Sequence, residues 1–200
     1  GEGIENSIIG IKKYEGGYLA VGKVNYGNDG FYFIKYDTAF NEINRRNTGS
    51  STSVALSSDG GYITVTTLRD AIHNWSNDYC VVKYDANNVR QWRYYYGGFS
   101  DDNVSSVVQL INGNYLIIGN TTSTDGDVVG KTSSDQDIWI IELNAAGQIV
   151  KQKVLGAGNN EHNPGIYIGD NDIIAYCNTN SVDGIASGNH GGEDLLLMHL

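Results

Sequence analysis

The chain has 200 residues, a mass of 21.7 kDa and a formal net charge of −10 at pH 7. Such a charge repels phosphate backbones and anionic lipid surfaces, so nucleic acid is excluded as an expected partner. No stretch of about 18 apolar residues occurs, which predicts no membrane insertion, and the first residues lack the pattern of a signal peptide.

The composition favours strands over helices. There are 26 glycines, 14 tyrosines and one proline, and valine, isoleucine and tyrosine recur in short runs. This combination is typical of short β-strands joined by glycine turns. Cys80 and Cys177 each lie in an apolar strand-like run, so we expect buried free thiols rather than a disulfide.

Taken in chain order, the predicted strands repeat. A turn-and-strand phrase occurs four times, as YEGGYLAVG, SDGGYITVT, INGNYLIIG and GDNDIIAYC. A second strand phrase follows each of them, as FYFIKYD, DYCVVKYD, DIWIIELN and DLLLMHL. The equivalent residues Tyr18, Tyr62, Tyr115 and Ile173 are separated by 44, 53 and 58 positions. The period is therefore about fifty residues, and the variation lies in the loops.

One complete unit contains four predicted strands. In the third unit these are VSSVVQLI, YLIIGNT, DIWIIEL and QIVKQKVLG, separated by the turns NGN and NAAG and by one long loop. Four antiparallel strands per unit of this length are typical of a β-propeller blade. We therefore predict an all-β fold, a single β-propeller domain over residues 1–200 with approximate repeats 1–48, 49–98, 99–156 and 157–200.

The last repeat stops at its third strand, which leaves two alternatives open. One is a four-bladed ring with an incomplete last blade, which would expose an unpaired strand edge. The other is a piece of a larger propeller.

The third unit also carries a recognisable set of side chains: Ser123, Asp125, Gly126, Asp127, Val128, Gly130, Asp137 and Trp139. This pattern resembles a repeat of bacterial secreted and cell-surface β-propeller proteins, and the resemblance implies an extracellular or cell-surface location. The first two units lack the Asp-Gly-Asp loop, and the fourth has Ile185 in place of its second aspartate. Any role of that loop is therefore not shared by all units.

The acidic loop of the third unit is a candidate metal site. Calcium takes six to eight oxygen ligands, and Asp125, Asp127 and Asp135 could supply carboxylates from a glycine-containing loop. The alternative is an ordinary turn, because Asp-Gly is also a common turn dipeptide. Asp78, Asp137 and Asp194 precede the third strand of their units, so we assign them to a repeated turn that accepts backbone hydrogen bonds.

Candidate ligand-binding residues lie in the loops. Trp75 is flanked by polar residues in AIHNWSND, away from the strand pattern, and is the best candidate for an exposed aromatic platform. The same loop holds His73, the loop SGNHGGED holds His190, and the run of three tyrosines around Tyr95 must turn at least one ring outward.

Catalytic motifs such as GxSxG, HExxH and a Walker loop are absent. The sequence therefore predicts a non-catalytic extracytoplasmic binding module that recognises glycans or mediates adhesion through loops on one rim. The alternative is a protein-interaction or spacer domain of a larger surface protein. A polysaccharide hydrolase or lyase is the less favoured third hypothesis, because its two carboxylates need only meet in space.

Overall fold

A computed structural model describes residues 6–14, 16–24, 30–47, 51–169 and 172–200 of the chain. Within these ranges the secondary structure is β-strand, apart from one short 3₁₀ turn at Gly184–Ala186. The strands are β1 (Asn6–Tyr14), β2 (Gly17–Val24), β3 (Gly30–Tyr36), β4 (Glu42–Asn47), β5 (Ser53–Leu56), β6 (Tyr62–Asp70), β7 (Ser76–Tyr84), β8 (Arg90–Tyr96), β9 (Asp102–Gln109), β10 (Tyr115–Thr121), β11 (Asp137–Leu143), β12 (Ile149–Leu155), β13 (Glu161–Ile168), β14 (Ile173–Thr179) and β15 (Asp194–His199).

The strands form four antiparallel sheets in chain order, β1–β4, β5–β8, β9–β12 and β13–β15. The first strand of each later sheet packs on the sheet before it: β5 contacts β1, β9 contacts β5, β6 and β7, and β13 contacts β9, β10 and β11. The fold is the predicted β-propeller, with sheets we call blades 1 to 4, and the fourth blade has three strands in the described part of the chain. In that part no helix is long and apolar enough to cross a membrane.

The burial of each strand follows its place in the blade. All seven residues of β10 and all seven of β11 are buried, because neighbouring blades cover both faces of these middle strands. This is why their sequences read as nearly continuous apolar runs instead of alternating patterns. The outer strand β12 is more exposed and places two lysines, Lys151 and Lys153, in solvent, which suits an edge strand.

The turn between the third and fourth strands has the same construction in three blades. Its first residue, Asp37, Asp85 or Asn144, accepts backbone hydrogen bonds from two residues of the turn through one side-chain oxygen. Three residues later the backbone adopts a positive φ, at Phe40 (63°), Asn88 (62°) and Gly147 (82°). The aspartate or asparagine that closes each strand phrase therefore nucleates the hairpin.

The core lies between blades. Tyr79 of blade 2 and Trp139 of blade 3 are fully buried, and their ring centroids lie 4.9 Å apart. Blade 3 packs on blade 4 through a second cluster that includes Ile118, Ile138 and Cys177. Both cysteines are buried and free, which confirms the prediction.

Candidate metal centre

Three side chains that can bind a metal meet at one end of blade 2. Asp70 is the last residue of β6, Asp78 is the third residue of β7, and His73 lies in the blade-2 loop, residues 71–75, that joins them. In the β6–β7 ladder, Asp70 pairs with Ser76 and Leu68 pairs with Asp78. Because side chains alternate along a strand, this register places Asp70 and Asp78 on the same face of the blade.

His73 brings the two carboxylates together. Its Nδ1 lies 3.0 Å from Oδ2 of Asp78 and 3.2 Å from Oδ2 of Asp70. The three ligand atoms of this group, which we call the Asp-His-Asp cluster, all lie within 4.8 Å of one another. The side chains are 8% (Asp70), 15% (His73) and 0% (Asp78) exposed.

The cluster has too few protons to satisfy its oxygens. The Nδ1 of a histidine carries at most one proton, and the hydrogen bond at this nitrogen is to Asp78. Oδ2 of Asp70 is buried and has no hydrogen-bond donor. A buried carboxylate oxygen without a donor is costly, because it has lost its water without replacement. A cation between the three groups would remove this cost.

The blade-2 loop is held in an unusual backbone conformation. Asn74 and Trp75 both have positive φ values, 59° and 61°, in the left-handed region. Such a conformation costs on the order of 1–3 kcal/mol per residue and persists only where the surroundings enforce it. Two hydrogen bonds do so here: the Trp75 amide donates to the Asp70 carbonyl (2.8 Å), and the Ser76 hydroxyl donates to the His73 carbonyl (2.5 Å).

A third carboxylate, Asp102, adds negative charge beside the cluster. Asp102 begins β9 in blade 3, is fully buried and accepts hydrogen bonds from the Gly98 amide (2.8 Å) and the Ser123 hydroxyl (2.9 Å). A Cβ atom on Gly97 would lie 2.2 Å from Oδ1 of Asp78 and 2.5 Å from Oδ2 of Asp102. Only glycine fits between these two carboxylates, which explains the glycine that follows β8.

The pKa values reflect this crowding. Burial raises the pKa of Asp78 to about 6, the bond to His73 opposes the rise, and the Asp102 and Asp70 carboxylates add to it. Burial also raises the pKa of Asp102, against the hydrogen bonds from Thr121, Gly98 and Ser123. In the described part of the chain, the ion pairs of Asp70 and Asp78 are both with His73. The cluster is therefore a concentration of buried negative charge.

The other blades hold different residues at the same positions. Counting from the start of the second strand, the place of Asp70 is taken by Ser123 in blade 3 and Ser181 in blade 4. The aspartate near the start of the third strand is kept, as Asp137 at the first position of β11 and Asp194 at the first position of β15. An aspartate at a serine position, followed by a histidine three residues later, is a signal in the sequence that could have identified this site. The sequence pattern assigns Asp78 to a repeated turn and does not single out Asp70.

In blade 3 a lysine supplies the cation. The Lys131 ammonium is almost fully buried and lies 2.7 Å from Oδ2 of Asp137. It also donates to the carbonyl oxygens of Ser133 (2.6 Å) and Asp135 (2.5 Å). Lys131 belongs to the blade-3 loop, residues 122–136, so this loop folds around its own positive charge.

The three residues predicted to bind calcium lie in the same loop and make structural contacts. Oδ1 of Asp125 accepts the Phe99 amide (2.8 Å), and Oδ2 of Asp127 accepts the Gly97 amide (3.3 Å). Asp135 offers its backbone carbonyl to Lys131. Among the described residues, the group with metal-ligand geometry is the Asp-His-Asp cluster. The calcium site at Asp125, Asp127 and Asp135 stays a prediction.

The predicted ligand-binding residues are spread over two blades. Trp75 is 68% exposed, as an aromatic platform requires, and His73 lies two residues before it in the cluster. Tyr95 lies on β8 and contacts the Arg93 guanidinium, while the His190 side chain is 92% exposed on blade 4. The structure therefore places His73 beside Asp70 and Asp78. Ligand binding by Trp75, Tyr95 and His190 stays a prediction.

No protein-family model and no curated protein matches this chain. Solved structures with a similar arrangement include a levansucrase variant from B. megaterium, at 10% identity and a TM-score of 0.48, covering 88% of this chain and 62% of that one. A levansucrase variant from Bacillus subtilis aligns at 9% identity and a TM-score of 0.46, covering 90% and 64%. A neuraminidase-like protein of A/little yellow-shouldered bat/Guatemala aligns at 12% identity and 0.48, covering 98% and 61%. The chain thus spans less than two thirds of each of these proteins.

These comparisons correct one interpretation of the sequence. The chain was expected to be a non-catalytic binding module for glycans or adhesion, whereas the similar solved structures are named as levansucrases and a neuraminidase-like protein. That interpretation is wrong. At these identities and TM-scores none of the activities of those proteins is transferred to this chain.

Proposed function

We propose that this β-propeller binds a divalent metal ion of the zinc class through Asp70, His73 and Asp78. The observation that carries the proposal is the convergence of one imidazole nitrogen and two carboxylates within 4.8 Å in a nearly buried site. One nitrogen and two oxygen donors suit zinc and its first-row neighbours, whereas calcium and magnesium prefer oxygen ligands alone.

The charge of the site supports the same conclusion. Asp70, Asp78 and Asp102 are buried, and His73 is the ionic partner of the first two. A bound dication would neutralise the carboxylates and give Oδ2 of Asp70 the partner that it lacks. Blade 3 meets the same requirement with Lys131, and blade 2 has no lysine in its loop. The assignment is limited to the ion, because the side chains of the cluster are nearly buried.

The test is zinc binding by the full chain, measured by calorimetry and by thermal unfolding. At a zinc concentration one hundred times Kd, binding to the native state adds about 2.7 kcal/mol of stability. For a chain of this size the melting temperature should rise by roughly 5–10 °C. Calcium at the same concentration should give little change. The variant His73→Ala should remove the zinc response.

A matched control is available in blade 4. His190 also lies close to the aspartate that begins the third strand of its blade, with Nδ1 3.5 Å from Oδ2 of Asp194, but its side chain is exposed. His190→Ala should therefore keep the full zinc response. Zinc binding that survives His73→Ala, or that His190→Ala removes, would place the ion elsewhere, and no response in the intact protein would refute the proposal.

The extracellular or cell-surface location, in a bacterium, is part of this proposal. It is supported by the resemblance of the third unit to the repeat of secreted and surface propellers, through residues such as Ser123, Asp125 and Asp137. Fractionation of the producing cells, with immunodetection of the protein, tests it directly. Recovery in the cytoplasmic fraction alone would contradict it.

A further inference from the structure

The blade-2 loop carries an exposed apolar surface directly beside the Asp-His-Asp cluster. Ile72 and Trp75 of the loop are 76% and 68% exposed, and Phe99, in the connection between β8 and β9, is 60% exposed. The Phe99 ring contacts the His73 ring edge-on, with centroids 6.4 Å apart. The same histidine therefore contacts the two cluster carboxylates through Nδ1 and the Phe99 ring through the edge-on ring contact.

The cluster residues enclose the loop. Asp70 precedes it, His73 lies within it, and Asp78 follows it after two residues of β7. An ion bound by all three ties both ends and the middle of the loop to one point. It thereby restricts the backbone of Asn74 and Trp75, which holds positive φ at two successive non-glycine residues.

In the absence of an ion, few contacts oppose release of the loop. The His73 ring makes one hydrogen bond to the cluster, with Asp78, and Ile72 and Trp75 contribute little buried apolar surface. Segments with few buried contacts and strained backbone open locally at low cost. The loop of blade 3 differs, because Lys131 holds it through Asp137 and two backbone carbonyls.

We propose that ion occupancy of the Asp-His-Asp cluster switches the blade-2 loop between an open state and the closed state of this structure, in which His73 packs against Phe99 while Ile72 and Trp75 are exposed. This inference rests on the proposed function and adds a consequence for the loop. The ion acts by binding the closed state and not the open one, which shifts the population between them.

The test is hydrogen exchange measured by mass spectrometry on the full chain, with and without zinc. At zinc ten times Kd, exchange through openings that release the ion should slow about tenfold. The effect should be confined to peptides covering residues 70–78, where the Trp75 and Ser76 amides donate to the Asp70 and His73 carbonyls. The blade-3 loop is the internal control, and its exchange should not change.

Calorimetry on the same sample separates the two proposals. Zinc binding together with slower exchange in residues 70–78 supports the switch. Zinc binding with unchanged exchange in this segment overturns the switch and leaves the metal site in place. Absence of zinc binding overturns both. His73→Ala provides the second control, because its loop should exchange fast with or without zinc while the rest of the chain keeps its protection.

Discussion

The loops of blade 2 and blade 3 both supply a partner for a buried aspartate, but they use different side chains. Each is followed by a buried aspartate at the start of the third strand of its blade, Asp78 in β7 or Asp137 in β11, and each places a group that can carry positive charge beside it. Blade 3 uses the Lys131 ammonium, which pairs with the Asp137 carboxylate and donates to two carbonyl oxygens of its own loop, those of Ser133 and Asp135. Blade 2 has one histidine, His73, facing two carboxylates, Asp70 and Asp78. A single imidazolium cannot neutralise both of them. The difference shows how one scaffold position can be structural in one repeat and a candidate ion site in another.

The largest expected effect comes from removing the internal cation of blade 3. Lys131→Met leaves Asp137 buried without its partner and the Ser133 and Asp135 carbonyls without a donor. Breaking a buried ion pair from one side costs about 3–5 kcal/mol. Urea denaturation at pH 7 measures this loss. His73→Ala, compared in metal-free buffer, should cost far less, and equal losses in the two variants would remove the distinction between the loops.

An intermediate effect is expected from pH in the metal-free protein. The folded-state pKa of Asp78 is raised by burial to about 6, above its ordinary value of 3.8. Between these values the folded protein binds more protons than the unfolded chain, so stability falls as pH rises. The loss between pH 4 and pH 7 from this group is on the order of 2 kcal/mol.

Denaturation at a series of pH values checks this slope, with Asp78→Asn as the control that should flatten it. Saturating zinc should reverse the trend near pH 7, because deprotonated carboxylates bind the ion. A metal-free stability that rises steadily from pH 4 to pH 7 in the wild type, but not in Lys131→Met, would assign the titration to blade 3 instead.

The smallest effect is expected when residue types of the blade-3 loop are introduced into blade 2. The double variant with Asp70→Ser and His73→Lys gives blade 2 the residue types of blade 3. Removing one of the crowded carboxylates and adding a permanent cation should raise metal-free stability by about 1 kcal/mol. The zinc-induced rise in melting temperature should disappear. A double variant that still gains several degrees with zinc would show that the ion binds outside the cluster.

Much of the fold could be predicted from the sequence, because its determinants are local and repeated. Asp37, Asp85 and Asn144 each close a strand phrase and each accept hydrogen bonds within their own turn. The continuous apolar runs of β10 and β11 indicate strands covered on both faces. Such features depend on neighbours a few residues away, so the sequence pattern carries them.

The site could not be predicted in the same way, because it depends on which oxygen faces which group. The sequence of the acidic loop does not reveal that the backbone carbonyl of Asp135 accepts a hydrogen bond from Lys131. It also does not reveal that the Asp125 carboxylate accepts one from the Phe99 amide. Nor does it show that Lys131 turns inward. Asp70 and Asp78 are eight residues apart in sequence, and only the register of the β6–β7 hairpin places them on one face. His73 was selected as a ligand-binding residue, but its partners were not.

The carboxylates that cap the connections between blades have a consequence for how such arrays evolve. The Asp125 carboxylate accepts a hydrogen bond from the Phe99 amide in the connection that enters blade 3. The Asp183 carboxylate accepts one from the Gly158 amide in the connection that enters blade 4, so each contact spans about half a repeat. Both partners of each hydrogen bond therefore lie within one repeat. Duplication of such a unit copies both partners of the contact together, so an array can lengthen without new contacts of this kind.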